Sequence, residues 1–165
     1  MSQITNPAGT ASAGACEQFW FLNTLVLVRV AHTEGTDGMS VLEHRAPPGD
    51  SPPLHVHRTE DEFFYILAGE FRFRVAETER RPGPGEMLLA RKGVPHTYRI
   101  ESPEGGRCLT VTTGGDFERF VREMSRPAQR LELPPPAGPP TSADIEALSR
   151  IAQRYGIDLV GPPLH

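Results

Sequence analysis

The chain has 165 residues, a formal net charge of -4 at pH 7 and a pI near 5.9. That length suffices for one domain with a real core. The acidic balance excludes the broad basic surface that nucleic acid or anionic lipid requires, so neither is an expected partner. The only cysteines, Cys16 and Cys108, form no disulfide framework and point to a reducing compartment, and no run approaches the ~18 consecutive apolar residues of a membrane span.

Residues 1–15 are rich in Ser, Thr, Ala and Gly, with no positive charge and no apolar stretch. They read as a flexible arm rather than a secretory signal, and the expected location is cytoplasmic. The body, residues 16–115, consists of short segments of β-branched, aromatic and aliphatic residues separated by Gly, Pro and Asp clusters. The spacing predicts strands over Phe19–Phe21, Leu25–His32, Met39–His44, Leu54–His57, Glu62–Leu67, Glu70–Val75, Glu86–Ala90, His96–Ile100 and Arg107–Thr112. This is an all-β pattern of the antiparallel barrel or sandwich type. Around Ala68-Gly69 the alternation of Phe71, Phe73 and Val75 with Arg72, Arg74 and Ala76 reads as the second arm of a hairpin. Its first arm, Phe63 to Leu67, is apolar on both faces, which leads us to expect a homodimer or a covering tail on the outer face.

Residues 116–165 read as a helical, Pro-rich tail packing on the barrel. Asp116 is a cap for a short helix Phe117–Met124 with Phe117, Phe120, Val121 and Met124 on one stripe. Five prolines between Leu133 and Pro140 make a stiff spacer. A second helix follows from about Ser142 to Tyr155, with Thr141 and Asp144 as a capping pair, Ile145, Leu148, Ile151 and Ala152 on one face, and Gly156 as its stop. These helices either pack outside the barrel or across a dimer, or cover the mouth of a cavity.

Of six histidines, three have a chemically suggestive arrangement. Residues two apart in a strand share a face, so His55 and His57 present two imidazoles to one side. Glu62 opens the next strand at the parity of Phe64 and Ile66, taken as inward. An unpaired carboxylate there costs several kcal/mol or is forced to take a proton, and a divalent cation removes that penalty. His96, after Pro95 at the start of another strand, can supply a third nitrogen. Glu60 and Asp61 read as solvated or supporting charges, with Glu60 the alternative carboxylate if the turn is shifted. His32, His44 and His165 are isolated and read as surface or structural residues.

These residues resemble the cupin superfamily. Its first motif runs Gly, five residues, His-x-His, three or four residues, Glu, six residues, Gly, and Gly49, His55, His57, Glu62 and Gly69 match each fixed position. In its second motif Gly85, Gly93 and His96 match, while Arg91 stands where Pro is usual and Ile100 where Asn is usual. The resemblance, spanning about a third of the chain, implies a single-domain cupin jelly-roll β-barrel with short C-terminal helices and one divalent metal ion on His55, His57, Glu62 and His96. Three imidazoles and a carboxylate would close a tetrahedral zinc site but leave an octahedral ion two positions, so Fe, Mn, Ni or Co is favoured and Zn is possible.

The run Pro53 to Tyr65, and the tail with Tyr155-Gly156-Ile157 before Gly161-Pro162-Pro163, are similar to small quercetin-dioxygenase-like cupins. That likeness implies a metal-dependent dioxygenase acting on a small phenolic or enolic molecule and dioxygen. Glu62 would be both ligand and proton acceptor, and Phe64, Phe73 and Tyr98 would be substrate contacts or simply core. A non-oxidative isomerase, cyclase or lyase, and a non-catalytic small-molecule-binding cupin, are the alternatives.

Overall fold

The computed structural model describes residues 16–35 and 37–165; the expected arm of residues 1–15 lies outside them. Twelve strands and two helices follow in order: β1 Gln18–Phe21, β2 Thr24–Val30, β3 Ser40–Ala46, β4 Leu54–His57, β5 Glu62–Ala68, β6 Phe71–Val75, β7 Thr78–Arg80, β8 Met87–Ala90, β9 His96–Ile100, β10 Gly106–Thr112, α1 Asp116–Met124, β11 Arg126–Pro127, α2 Ser142–Arg154 and β12 Ile157–Gly161. They make two antiparallel sheets, β11-β1-β2-β3-β10-β5-β8 and β12-β4-β9-β6-β7. The fold is the expected jelly-roll sandwich with two helices. Among the described residues no helix is long and apolar enough to cross a membrane.

The alternation of each strand decides its inner face. In β5, Glu62, Phe64 and Ile66 are buried while Phe63, Tyr65 and Leu67 are half-buried. In β6, Phe71 and Phe73 are buried. The hairpin expected at Ala68-Gly69 is not formed: β5 pairs with β10 and β8, whereas β6 pairs with β9 and β7 in the other sheet. The chain changes sheets at Gly69, which has φ 88° and passes so close to the neighbouring loop that a Cβ there would lie 2.6 Å from the carbonyl oxygen of Gly105. Phe64 and Phe73 consequently meet across the sandwich, ring centroids 4.9 Å apart and tilted at 56°, and not side by side in one ladder.

Beside a small cluster of Trp20, Leu25, Leu27 and Ala128, two larger apolar clusters fill the interior. One contains Phe64, Ile66, Phe71, Phe73, Tyr98, Ile100 and Cys108. The other joins Val26, Val28 and Leu42 of the large sheet to Phe120 and Val121 of α1 and Ala152 of α2, so both helices pack on the sandwich. Cys108 is a buried free thiol, which burial pushes up to about 12.

The α2 capping box of Thr141 and Asp144 is present. Ile145 is an exception to the expected apolar face, standing 51% exposed on the first turn. Asp116 is not the cap of α1 but its first residue; the cap position is Gly115, with no side-chain cap of its own. The helix is followed by strands where the pattern shows none, β11 against β1 and β12 against β4.

Candidate metal centre

β4 pairs with β9 so that His55 and His96 are register partners. Period-two alternation carries His57 to the same side. The turn before β9 is bound to the end of β4 by a hydrogen bond from the Gly93 N–H to the His57 carbonyl, 2.7 Å. Glu62 arrives from the opposite sheet, paired with Thr112 and Ala90. The centre is thus a cross-sheet cluster, three imidazoles facing one carboxylate.

One donor atom from each of His55, His57, Glu62 and His96 lies within 4.8 Å of the others. Nε2 of His96 is 2.8 Å and Nε2 of His57 3.3 Å from the same oxygen, Oε2 of Glu62. The outer nitrogens are occupied differently. His55 Nδ1 is 2.8 Å from the Pro53 carbonyl and His96 Nδ1 is 3.0 Å from the Val94 carbonyl. With those carbonyls accepting, the Nε2 of His55 is left as a lone pair, while that of His96 stands within hydrogen-bond distance of Glu62 Oε2. His57 Nδ1 faces Oε1 of Glu60 at 3.4 Å.

Electrostatics give His55 and Glu62 the protonation that a cation needs, while the apo site pulls His57 toward its charged form. Burial, with the neighbouring His96 and His57, presses His55 down to about 3. Burial pushes Glu62 up, but His57 and His96 outweigh it and hold the carboxyl at about 2, ionised. Burial opposes the charged form of His57, yet Glu62 and Glu60 together raise it.

Both ring nitrogens of His57 are buried without a well-formed hydrogen bond. A buried nitrogen of this kind beside an ionised carboxylate suits a bound cation. The donor set of three neutral-capable imidazoles and one carboxylate fits a divalent metal. His55, His57, Glu62 and His96 are therefore consistent with binding one metal ion.

The aromatic residues expected near substrate form a buried cluster of tilted and edge-on rings behind the centre. Phe64 lies 6.2 Å from the His96 ring, and Phe73 and Tyr98 lie 4.9 and 5.9 Å from Phe64. Two neighbours had no role at the centre in the sequence reading, and a third, Glu60, was read only as a solvated or supporting charge or an alternative ligand. Phe117 of α1 packs edge-on to His57 at 5.6 Å and stacks on His44 at 5.9 Å. His44 is not at the surface: it is 5% exposed, and its Nε2 has no hydrogen-bond partner. Glu60, 2% exposed, is a buried neighbour of His57. Its sequence signal was only its place three residues after that ligand. Two surface depressions, about 500 Å³ between Arg80 and Met87 and about 360 Å³ beside Arg45 and Leu131, include none of the four donor residues.

A jelly-roll with a three-histidine, one-glutamate cluster bridging its sheets is the fold of a cupin with a candidate metal site. Residues 42–112 match the model of the cupin domain, and the chain carries a cupin domain. Quercetin 2,3-dioxygenase of Bacillus subtilis (strain 168) is 31% identical over 99 residues, 59% of this chain and 29% of that protein. The chain thus spans less than a third of the length of that relative. The fold is also that of oxalate decarboxylase from Bacillus subtilis, at 20% identity and TM-score 0.54 over 68% of this chain and 30% of that one. A variant of the same enzyme gives 21% identity and TM-score 0.55 over 65% and 29%.

Proposed function

We propose that the protein is a metal-dependent oxygenase of the quercetin-dioxygenase-like type, acting on a small phenolic or enolic molecule. The observation that carries this reading is the sharing of Glu62 Oε2 by the Nε2 atoms of His57 and His96, with a His55 nitrogen within 4.8 Å of these donors, which gathers three nitrogens and one oxygen. The name of the 31% identical relative supports the substrate class. Fe, Mn, Ni or Co suits the reading better than Zn, because such an ion holds two further positions beside four protein donors. When bound, the ion supplies Lewis acidity toward a substrate oxygen and a place for dioxygen.

The residues of the chain do the rest. Glu62, ionised, accepts the proton of an incoming enolic or phenolic hydroxyl. The carbonyls of Pro53 and Val94 keep His55 and His96 turned with Nε2 inward. Phe64, with Phe73 and Tyr98 tilted behind it, offers an apolar aromatic wall beside His96 and helps to exclude water. The protein acts as a homodimer through the outer face of the large sheet, where Val41, Val111, Phe63 and Leu89 lie in one row and Leu109, Tyr65 and Met87 in the next.

The deciding experiment is oxygen uptake by the Fe-, Mn-, Ni- and Co-loaded protein with flavonols such as quercetin. Uptake that tracks substrate loss and is abolished in Glu62→Gln is expected. Equal turnover of the same compound without oxygen would instead establish a non-oxidative cupin.

A further inference from the structure

We infer that Glu60 is a positioning residue for the metal centre, a carboxylate that orients the imidazole of His57 while being fixed itself by the first turn of α1. The inference rests on reading His55, His57, Glu62 and His96 as ligands, and concerns a residue outside that set.

Glu60 is buried, and among the described residues its only ion-pair contact is His57. A buried carboxylate needs compensation, and here it comes from backbone: Oε1 accepts the Phe117 N–H at 2.7 Å and Oε2 the Asp116 N–H at 3.2 Å. These are first-turn donors of a helix whose cap residue, Gly115, offers no side-chain acceptor. Packing permits this because residue 114 is glycine: a Cβ there would lie 2.8 Å from Oε2 of Glu60. The loop is pinned on both sides of Glu60, by Thr59 Oγ1 donating to Asp116 Oδ2 at 2.6 Å and by the Asp61 N–H donating to Thr113 Oγ1 at 3.0 Å.

Capping α1 does not by itself require contact with a ligand histidine, yet Oε1, the oxygen bound to Phe117 N–H, also faces His57 Nδ1 at 3.4 Å. His55 and His96 each use a carbonyl two residues back in the chain for the equivalent role. His57 alone has a side-chain carboxylate. A carboxylate acceptor fixes the imidazole with its proton on Nδ1 and makes Nε2 a better donor to a metal, which is the usual service of a group behind a metal-bound histidine. The four-residue loop between His57 and Glu62 is thereby tied to a helix more than fifty residues downstream.

The test is titration of the full chain with Co²⁺, following the visible spectrum and the exchangeable imidazole N–H protons that the ion shifts. Glu60→Gln keeps an oxygen for the Phe117 N–H but removes the charge facing His57. Its cobalt affinity is expected to fall roughly 10- to 100-fold, with one shifted N–H signal displaced and the other two kept. Affinity within about threefold of wild type together with an unchanged N–H spectrum would reduce Glu60 to a helix cap and overturn the inference. Should the variant fail to fold, the zinc-loaded wild type decides: long-range ¹⁵N–¹H correlation is expected to place a proton on His57 Nδ1, downfield of those on His55 and His96, and a bare His57 Nδ1 overturns the inference. His55→Ala separates the two readings. If it binds cobalt as well as wild type, the ligand assignment has failed, and the inference with it; if it loses cobalt while Glu60→Gln does not, only the inference has failed.

Discussion

His55 and His96 are register partners in the β4–β9 ladder, and their ring centroids stand 4.4 Å apart at an interplanar angle of 59°. Burial and its histidine neighbours disfavour a proton on His55, which leaves its inner nitrogen as a donor for a cation. Metal is therefore expected to stabilise the fold markedly. At free Co²⁺ or Ni²⁺ a hundredfold above the dissociation constant, linkage gives about 2.7 kcal/mol, a rise of several degrees in melting temperature reversed by EDTA. An identical melt with and without metal would remove the ligand assignment.

Acid stability of the metal-free protein is expected to depend on His44. Burial lowers its imidazole from 6.5 to about 4. Between those values the unfolded chain holds the proton and the folded one does not, so stability falls as pH drops from 6.5 toward 4, by roughly 3 kcal/mol in all. Asp50 opposes it: burial raises that carboxyl to about 6, so its contribution is present at low pH and lost as pH rises toward 6. The His44 share is isolated by comparing urea unfolding of wild type and His44→Leu at about pH 4.5 and about pH 7. The variant should lose less stability on acidification; equal losses would count against the buried neutral imidazole.

Phe73 is fully buried and packs between Phe64, Phe71 and Tyr98. Phe73→Ala should cost about 3–5 kcal/mol in urea unfolding. A cost below about 1 kcal/mol would mean that the ring borders open ligand space and is not closed core.

Met87 is 60% exposed and Leu89 39% exposed on the outer face of the large sheet. The proposed homodimer buries that face, so light scattering should give twice the monomer mass, and Met87→Glu with Leu89→Glu should give the monomer. A wild-type monomer at tens of micromolar would end the proposal.

The ligand set was legible because strand periodicity alone puts His55 and His57 on one side, and the spacing to Glu62 and His96 repeats a known pattern. The exchange of sheets between β5 and β6 was not, because alternating Phe71 and Phe73 look the same whether they meet a neighbour in a ladder or a partner across a sandwich. Glu60 could not be assigned for a different reason. Its role depends on where α1 comes to rest, and nothing in residues 57–62 encodes that. The same holds for β12, whose Ile157-Asp158-Leu159 becomes a strand only because β4 leaves an edge for it.

The pairing of β12 with β4 places Ile157 opposite His57 and Leu159 opposite His55. At translation rates of about 5–20 residues per second, the ribosome delivers this partner roughly 5–20 s after the two histidines. Until then the histidine strand has an open edge, a surface prone to pairing with other nascent chains. Truncation within residues 157–161 should therefore yield chains that aggregate more readily than the full chain.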